Sequence, residues 1–449
     1  MRFLVTVQNL EHFMSELALK NSGEKEFCQA VQEVMEDVFP FIREHPEFND
    51  PYLLERLTEP DRAVMFRVPW LDDQGIRRVN RGYRVQFCNV LGPYKGGLRF
   101  HPTVSLSIIK FLAFEQTFKN SLLPMGLGGG KGGSDFDPRG KSDQEIFKFC
   151  QSFMTELIRH IENRRDVPAG DIGVGSREIG YLFGQYKRIK DDGAGVLTGK
   201  DAIYGGSLLR PEATGYGCVY FAEEVLKHYS EGLEGKTCCV SGSGNVAIYA
   251  AEKLNALGAR VLTLSDSSGM IYCAEGLDQE KLSYLMVAKF RQRRRLSEIA
   301  PTLGCEYFEG KTPWHVPCRL AFPCATQNEI DAEAAAQLGQ NGCRWVLEGA
   351  NMPVTREAGQ VFRKFGVVAV PGKAANAGGV AVSGLEMAQN ATGLPWSRSE
   401  VDEKLKLIMR DVHNRCLDYG KSGKDINYIK GANLSGFVRL AMSIQAQGF

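Results

Sequence analysis

Apolar residues recur at helical spacing in some stretches of the chain and alternate with polar residues in others. In residues 24–59, Val31, Val34 and Val38 belong to a helical pattern that ends at Pro40, and a second helix follows it. Downstream, MFRVPWLDD and RRVNRGYRVQFCNVLG alternate in the way that strands and turns do. The first part of the chain therefore combines helices with a sheet.

Two further helices are predicted before the middle of the chain. The segment SIIKFLAFEQTFKNSLL is amphipathic and places Gln116 and Lys119 on neighbouring positions of one helix surface. The segment KSDQEIFKFCQSFMTELIRHI is the second helix, with Ser142 as its N-cap. Gln116 and Lys119 are thus available to hold the same ligand.

A strand, a glycine turn, a helix and a second strand follow one another in the later part of the chain. The apolar strand TCCVSG leads into a turn with Gly242, Gly244 and Ala247, and the helix after it runs to about Leu257. The next strand, ARVLTLSD, ends at Asp266. Glycines at this spacing let the backbone approach a pyrophosphate at a helix N-terminus, so the order predicts a dinucleotide-binding unit.

Three more strands are predicted after that unit, in RLAFPCATQN, RWVLEGANM and FGVVAVPGKAANAGG. Each is followed by a loop of small or polar residues, around Thr326, Asn351 and Asn376. In a doubly wound sheet, ligands bind at the carboxyl ends of strands. These loops are therefore candidate parts of the same site.

The length of 449 residues favours two domains. The predicted fold class is α/β, with an N-terminal α/β substrate domain and a Rossmann-like, doubly wound dinucleotide-binding domain. The glycine-rich residues 193–217 form the predicted hinge. The predicted bounds are 1–202 for substrate binding and oligomerisation, 203–424 for the dinucleotide, and 425–449 for a C-terminal helix that packs back on the first domain.

Composition narrows the choice of partners. A net charge of +1 gives no reason to expect nucleic acid or a membrane surface, and no apolar stretch is long enough to span a membrane. The N-terminus lacks the features of an export or organelle signal, so the expected location is cytoplasmic.

The twelve cysteines form no C-x-x-C pair and suit a reducing compartment. His315, Cys318 and Cys324 are the nearest approach to a metal site, and we expect structural thiols there and no metal.

Lys95, Lys119 and Lys131 lie within a short, glycine-rich part of the chain. We expect Lys95 and Lys131 on glycine-flanked loops, and five glycines surround Lys131 in GLGGGKGGSDFDP. Glycine is entropically costly to order, so the run indicates close approach to a ligand. Converging ammonium groups would bind a dicarboxylate, and burial with mutual repulsion would lower the pKa of at least one lysine. A solvated basic loop is the alternative.

Eight motifs occur together in the order found in one enzyme family: GPYKGGLRFHP, FEQTFKN, GGGKGGSDFDP, DVPAGDIGVG, RPEATGYG, SGSGNVA, EGANMP and KAANAGGVAVSGLEMAQN. With them, nearly the whole chain resembles glutamate dehydrogenase of the hexameric class found in bacteria and protists. The resemblance implies an enzyme of ammonium assimilation that interconverts L-glutamate with 2-oxoglutarate and ammonium, and that forms a homohexamer.

The resemblance also implies roles for individual residues around the substrate. Lys131 would be the catalytic lysine and Asp171 the proton-transfer carboxylate. The substrate-binding residues would be Lys95, Gln116, Lys119, Gly170 and Ser383. Of these, Lys95 and Ser383 would hold the side-chain carboxylate, and Gln116 and Lys119 the α-carboxylate. As alternatives, Asp171 is a turn residue and Ser383 caps the helix that follows it.

The implied cofactor is NADP, with NAD as the alternative. The cofactor-binding residues would be Thr214, Gly242, Ser243, Gly244, Asn245, Asp266, Ser267, Lys289, Asn351 and Asn376. Asp266 favours a free ribose 2′-hydroxyl and hence NAD. Ser267 and the basic residues 289–295 favour a 2′-phosphate, unless these basic residues are only a solvated helix face.

Leu127 departs from the family pattern. Members usually have Thr-Leu-Pro-Met-Gly-Gly-Gly-Lys, whereas here Leu127 stands between Gly126 and the glycines before Lys131. A catalytically weak homologue is therefore one alternative. A dehydrogenase for leucine, phenylalanine or valine is another, but those enzymes have an apolar pocket where this chain has Lys95 and Ser383.

Overall fold

The structure is a computed structural model that describes residues 9–193, 195–423 and 425–448. These residues form two compact units. The first unit takes its residues from Met1–Leu208, Ser383–Val401 and Asn433–Phe449. The second unit takes its residues from Leu209–Val382 and Asp402–Ala432.

The boundary at Leu208 falls inside the predicted hinge of residues 193–217. The units differ from the predicted bounds in three places, because 203–208 and 383–401 belong to the first unit and 425–432 belongs to the second. A sequence pattern shows that a helix forms but not which unit it packs against. The predicted division at 202 and 424, as a division of function, stays a prediction.

The helices alternate with strands along most of the chain. In chain order, the helices are α1 (Leu10–Lys20), α2 (Lys25–Glu44), α3 (Pro51–Thr58), α4 (Leu106–Ser121), α5 (Asp143–Leu157), α6 (Ser176–Lys190), α7 (Ala213–His228), α8 (Asn245–Ala256), α9 (Gln279–Met286), α10 (Leu296–Leu303), α11 (Ala332–Gln340), α12 (Arg356–Phe365), α13 (Gly372–Ala375), α14 (Gly378–Thr392), α15 (Arg398–Gly420) and α16 (Tyr428–Gln447). A π-helical turn, Val287–Arg291, follows α9.

The strands are, in chain order, β1 (Arg62–Leu71), β2 (Arg77–Cys88), β3 (Tyr94–Phe100), β4 (Gly128–Ser134), β5 (Asp166–Gly170), β6 (Thr237–Val240), β7 (Arg260–Asp266), β8 (Gly269–Tyr272), β9 (Glu306–Glu309), β10 (Leu320–Phe322), β11 (Trp345–Leu347), β12 (Val368–Val370), β13 (Lys421–Ser422) and β14 (Asp425–Ile426).

The predicted early helices form, with one correction. Helix α2 does not end at Pro40 but continues to Glu44. Pro40 is exposed, while Phe39 and Ile42 beside it are buried. Packing of these neighbours sustains the last turn although proline cannot donate its backbone hydrogen bond. Ser142 caps α5 as predicted, and Glu145 completes a capping box.

The sheet of the first unit has the strand order β1-β2-β4-β3-β5. Strands β3, β4 and β5 run parallel, whereas β2 is antiparallel to both β1 and β4. One core cluster joins this sheet to α5 and α6, and Phe100, Phe136 and Phe149 lie inside it. Their rings pack edge to face and stacked, with centroids 3.8 Å apart for Phe136 and Phe149. The parallel strands are thus fixed from one side by an aromatic core.

Lys95 and Lys131 do not lie on loops, as the glycines around them had suggested. Lys95 is in β3 and Lys131 is in the middle of β4. The glycines are needed because neighbours come too close for a side chain: a Cβ on Gly129 would lie 1.9 Å from Oγ1 of Thr117. A Cβ on Gly96 would lie 1.7 Å from the carbonyl oxygen of Gly130. Close packing therefore outweighs the poor strand propensity of glycine.

The second unit contains a sheet with the strand order β12-β11-β10-β6-β7-β8-β9. The strands from β12 to β7 are parallel, and β8 and β9 are antiparallel additions at one edge. The predicted β6–α8–β7 unit is present. The predictions of an α/β fold class and of a Rossmann-like, doubly wound sheet are confirmed.

Cysteine chemistry differs from the expectation of free thiols throughout. Cys273 and Cys305 form a disulfide between the end of β8 and the start of β9. Local sequence patterns do not indicate this disulfide, because the two residues are 32 positions apart and meet through the pairing of β8 with β9. Among the described residues, no cluster of histidine, cysteine, aspartate or glutamate could hold a metal ion.

Within the same described ranges, none of the helices is long and apolar enough to cross a membrane.

Candidate active site

Lys131 forms a buried ion pair with Asp171 in the first unit. Its side chain is 5 % exposed, and its Nζ lies 3.1 Å from Oδ2 of Asp171. Register places Lys131 opposite Val85 of β2, in the interior of the sheet. A charge at such a position needs a partner. The alternative interpretation, in which Lys131 lies on a solvated basic loop, is therefore wrong.

Asp171 follows directly after the last residue of β5. It does occupy a turn, because its carbonyl oxygen accepts from the backbone N–H of Val174 at 2.9 Å. Its side chain has a separate role: Oδ2 also accepts from Nε of Arg99 at 2.8 Å. Asp171 is thus both a turn residue and the anion shared by Arg99 and Lys131.

The pKa values of this pair follow from burial and charge. Burial lowers the pKa of Lys131 from its ordinary value; Asp171 opposes that change, and the nearby charges of Arg99 and Arg84 add to it. Burial alone would raise the pKa of Asp171, but Lys131 and Arg99 hold it well below its usual range. The result is a lysine driven toward neutrality beside a firmly ionised carboxylate.

The other predicted substrate residues are distributed over β3, β5 and α4. Lys95 is fully buried, and Gly170 is the last residue of β5. Gln116 and Lys119 lie half-buried on α4, at neighbouring positions as predicted. The structure places these residues, while their roles toward a substrate stay predictions.

Asn120 was missed by the sequence analysis. It is fully buried, and its amide nitrogen donates to the carbonyl oxygens of Lys95 and Gly128. Its Oδ1 accepts from Nε2 of Gln116 at 2.8 Å. Asn120 therefore ties α4 to the starts of β3 and β4. Its position directly after Lys119, within the motif FEQTFKN, could have identified Asn120 as a candidate from the sequence.

Ser383 lies inside α14 rather than at its start, so the alternative that it only caps this helix is wrong. It is 1 % exposed and belongs to the first unit. One turn further along α14, Glu386 accepts from the backbone N–H of Gly199 at 2.8 Å and from Nζ of Lys200 at 2.7 Å. This buried ion pair holds the α14 segment that carries Ser383 in place.

The departure at Leu127 is accommodated by packing. Leu127 is 4 % exposed, and with Met125 it lies against Gly384 of α14, where an added Cβ would meet both side chains. Arg439 of α16 donates to the carbonyl oxygens of Leu123 and Met125, which fixes the loop before β4. The altered loop therefore leaves Lys131 in its ion pair with Asp171.

A second buried ion pair, between Arg84 and Asp166, stabilises the strands under the site. Both side chains are fully buried, and Nε of Arg84 donates to Oδ2 of Asp166 at 2.9 Å. Arg84 also donates to the carbonyl oxygen of Gly96 at 3.1 Å. The pair joins β2, β3 and β5, and nothing in the sequence had marked it.

The predicted glycine turn of the second unit has the required geometry. Gly242 has a φ of +85°, and an added Cβ would lie 3.0 Å from the carbonyl oxygen of Cys324. Gly244 is the N-cap of α8 and has no atom within 4 Å of an added Cβ, so space is open there. Ser243 is half-buried and Asn245 is exposed at the same helix N-terminus. A phosphate group fits this arrangement.

Asp266 at the end of β7 is largely engaged by the protein itself. Its Oδ1 accepts from the backbone N–H of Ser268 at 2.9 Å, and its Oδ2 accepts from that of Leu296 at 3.0 Å. Ser267 is exposed beside it. Nη1 of Arg295 donates to Oγ of Ser268 at 3.0 Å, which brings a cation to this edge.

Lys289 in the π-helical turn also belongs to this edge. Burial lowers its pKa, while the charge of Asp266 opposes that change and Arg295 adds to it. Lys289, Asp266 and Arg295 are therefore electrostatic neighbours, whereas Arg291 and Arg293 are exposed. An edge with two cations and the exposed Ser267 fits a phosphate better than a ribose hydroxyl alone.

The remaining predicted cofactor residues, Asn351, Asn376 and Thr214, make two separate contacts within the second unit. Nδ2 of Asn376 donates to Oδ1 of Asn351 at 2.9 Å. Oδ1 of Asn376 is buried and has no hydrogen-bond partner among the described residues, so it can accept from an amide group. Thr214, near the start of α7, lies against Gly379. These features fit a nicotinamide cofactor.

Comparison with known proteins gives the same result for both units. Residues 60–188 match the family described as Glu/Leu/Phe/Val dehydrogenase, dimerisation domain. Residues 205–448 match Glutamate/Leucine/Phenylalanine/Valine dehydrogenase. Together these matches cover most of the chain.

Similar individual proteins match over nearly their whole length. The chain is 53 % identical to NADP-specific glutamate dehydrogenase of Escherichia coli strain K12, over 98 % of both chains. It is 54 % identical to NAD(P)-specific glutamate dehydrogenase of Xylanibacter ruminicola, over 97 % of this chain and 98 % of the relative. The solved glutamate dehydrogenase of Plasmodium falciparum is 52 % identical, with a TM-score of 0.95 over 98 % of this chain and 94 % of that one.

Proposed function

The chain belongs to the Glu/Leu/Phe/Val dehydrogenase family, and we propose that it is an NADP-dependent glutamate dehydrogenase. The proposed reaction is the reversible oxidative deamination of L-glutamate to 2-oxoglutarate and ammonium. Support comes from the similarity to NADP-specific glutamate dehydrogenases and from a buried, cation-rich site in the first unit.

One observation favours glutamate over leucine, phenylalanine or valine. Lys95 is fully buried in β3, where it pairs in register with Gly129, two residues before Lys131 in β4. A buried ammonium suits a substrate carboxylate and disfavours an apolar side chain beside it. We assign Lys95 and Ser383 to the side-chain carboxylate, and Gln116, Lys119 and the backbone around Gly170 to the α-amino acid group.

Proton transfer falls to the Lys131–Asp171 pair. When hydride leaves Cα, the substrate becomes an iminium that water attacks. Lys131, with a pKa lowered by burial, can take a proton from that water and stabilise the charge that develops. Asp171 is ionised before the reaction, so it can accept a proton from the reacting groups and pass it to the leaving ammonia, which restores its charge. The two residues thus divide the proton steps between them.

The nicotinamide cofactor supplies the hydride acceptor and donor when bound. The residues that would hold it are Gly242, Ser243, Gly244 and Asn245 at the pyrophosphate, Asn351 and Asn376 at the amide end with Thr214 nearby, and Asp266, Ser267 and Lys289 at the adenosine end. Because the backbone engages both carboxylate oxygens of Asp266, its preference for a free ribose hydroxyl is weakened.

We also propose a homohexamer that assimilates ammonium in the cytoplasm. Strand β1 lies at the edge of the first sheet, and Met65 on it and Val79 on β2 are 65 % and 62 % exposed. Exposed apolar residues on the edge strand β1 and on its neighbour β2 favour association with another chain. Light scattering would give the mass of the assembly, and a monomer would contradict the proposed hexamer.

A substrate panel tests the proposed reaction. We expect deamination of L-glutamate with NADP to exceed that of L-leucine, L-valine or L-phenylalanine on the order of 10³-fold in kcat/KM, because the buried ammonium of Lys95 attracts a side-chain carboxylate and not an apolar side chain. Comparable turnover of an apolar amino acid would contradict the glutamate assignment but keep the family. Absence of turnover with every substrate would contradict the enzymatic proposal.

A further inference from the structure

Arg99 is a cation of the site that the sequence analysis did not single out. It lies near the end of β3, and its side chain is 12 % exposed. Its Nε donates to Oδ2 of Asp171 at 2.8 Å, and Nζ of Lys131 lies 3.1 Å from that same oxygen. One carboxylate oxygen therefore joins two cations, and only one of them has an assigned part in the reaction.

The backbone around Arg99 makes room for this contact. A Cβ on Gly97 would lie 2.8 Å from Cβ of Asp171 and 2.7 Å from the carbonyl oxygen of Gly170. A Cβ on Gly133 would lie 2.2 Å from the carbonyl oxygen of Arg99. Glycines thus bring β3 close to the end of β5 on one side and to β4 on the other. The arrangement fixes both the arginine and the carboxylate it holds.

We propose that Arg99 is a positioning residue for the reaction, which holds Asp171 by Oδ2 and thereby leaves Oδ1 as the oxygen that exchanges the proton. This inference rests on the proposed function of Lys131 and Asp171. Without Arg99, the carboxylate would rotate about its χ2 and close on Lys131 alone. A misplacement of about 1 Å at a reacting group costs on the order of 10²-fold in rate.

Arg99 has a second effect through its charge. The charged groups that face Lys131 are Asp171 after β5, Arg99 on β3 and Arg84 on β2. Asp171 favours the protonated lysine, whereas the two arginines oppose it. Removing the charge of Arg99 would therefore raise the pKa of Lys131, so the neutral lysine would appear only at higher pH.

The two effects are separable with two substitutions. Arg99→Gln removes the charge, and Arg99→Lys keeps it but loses the planar Nε donor. In the deamination direction, we expect kcat/KM to fall ~10²-fold for Arg99→Gln and ~10-fold for Arg99→Lys. The acid limb of the pH profile should move to higher pH only for Arg99→Gln. NADPH binding, followed by its fluorescence, should remain within about twofold in both variants, because Arg99 lies outside the second unit.

Arg139→Gln is the matched control. Arg139 pairs with Asp137 at 3.1 Å, and its side chain is 72 % exposed, so that pair contributes little. We expect unchanged kcat/KM and an unchanged pH profile. A merely structural arginine at position 99 would lower the melting temperature in its variants without moving the acid limb, and that result would overturn the proposal.

A double-mutant cycle with Asp171→Asn completes the test. If Arg99 positions Asp171, the combined variant should lose no more activity than Asp171→Asn alone, when all variants are compared at a pH above their acid limbs, where the charge effect on Lys131 is absent. Independent, multiplying losses would overturn the inference. If Arg99→Gln does not fold, the same double-mutant cycle is measured with Arg99→Lys. Full activity of Arg99→Lys would likewise overturn the inference. An inactive wild-type enzyme would instead refute the proposed function, so the two failures are distinguishable.

Discussion

The two units build their candidate sites in different ways. In the first unit, charged side chains are buried within a sheet and paired there, as Lys131 is with Asp171 and Arg84 with Asp166. In the second unit, the site consists mainly of backbone: the turn at Gly242 and the exposed N-terminus of α8. The first arrangement tunes the protonation of specific groups, and the second provides dipoles and space for a phosphate.

This difference predicts which changes matter in each unit. A buried charge is costly, so removing one partner in the first unit should affect chemistry strongly. A backbone site depends little on any one side chain, so single replacements in the second unit should have graded effects. The following predictions run from the largest expected effect to the smallest.

Lys131→Ala should reduce kcat by about 10⁴-fold, because it removes the group that exchanges the proton with water. NADPH affinity should stay nearly unchanged, since the predicted cofactor residues lie in the second unit. Single-turnover kinetics together with NADPH fluorescence titration would measure both. Substantial residual turnover would contradict the role of Lys131, and a parallel loss of NADPH binding would contradict the separation of the two sites.

Lys95→Leu combined with Ser383→Val should lower kcat/KM for glutamate on the order of 10³-fold and improve an apolar amino acid. The reason is that the buried ammonium and hydroxyl would be replaced by an apolar wall. Steady-state kinetics with L-glutamate and L-leucine would show the change in preference. An unaltered preference would mean that the side-chain carboxylate binds elsewhere.

Many of the helices and strands that carry the two candidate sites could be predicted from the sequence. Helix α8 and the strands around it follow from local periodicity and the glycine spacing, and the cap at Ser142 follows from a local motif. The contacts of Arg99 with Asp171 could not be predicted, because they depend on how β3 meets the end of β5. The glycine-flanked lysines were predicted on loops for the same reason: β4 is a strand through its pairing with β2 and β3, which the local sequence does not show.

The disulfide of the second unit encloses the segment that carries the basic residues 289–295. Replacing Cys273 and Cys305 together by serine should lower the free energy of unfolding by about 2–4 kcal/mol, because the cross-link restricts the unfolded chain. Urea unfolding of the oxidised protein and of the double variant would measure it. Cys28→Ser, a half-buried free thiol, is the control, and equal stabilities of all three would show that the bond does not form.

Lys289→Gln should give the smallest effect, about a tenfold weaker binding of NADPH with little change for NADH. Lys289 lies beside Asp266 and Arg295, where we place the 2′-phosphate. Lys311→Gln, an exposed lysine beyond β9, is the control. Equal losses of affinity for both cofactors would show that Lys289 contacts a group which NADPH and NADH share. That result would contradict the assignment of Lys289 to the 2′-phosphate.

The central claim is that the chain uses NADPH to convert 2-oxoglutarate and ammonium to L-glutamate. Its most direct test is the loss of reduced-cofactor absorbance in the presence of both substrates, followed in parallel with NADPH and NADH. The account predicts rapid, ammonium-dependent oxidation of NADPH and slower oxidation of NADH. No oxidation of either cofactor by the folded wild-type protein would contradict it.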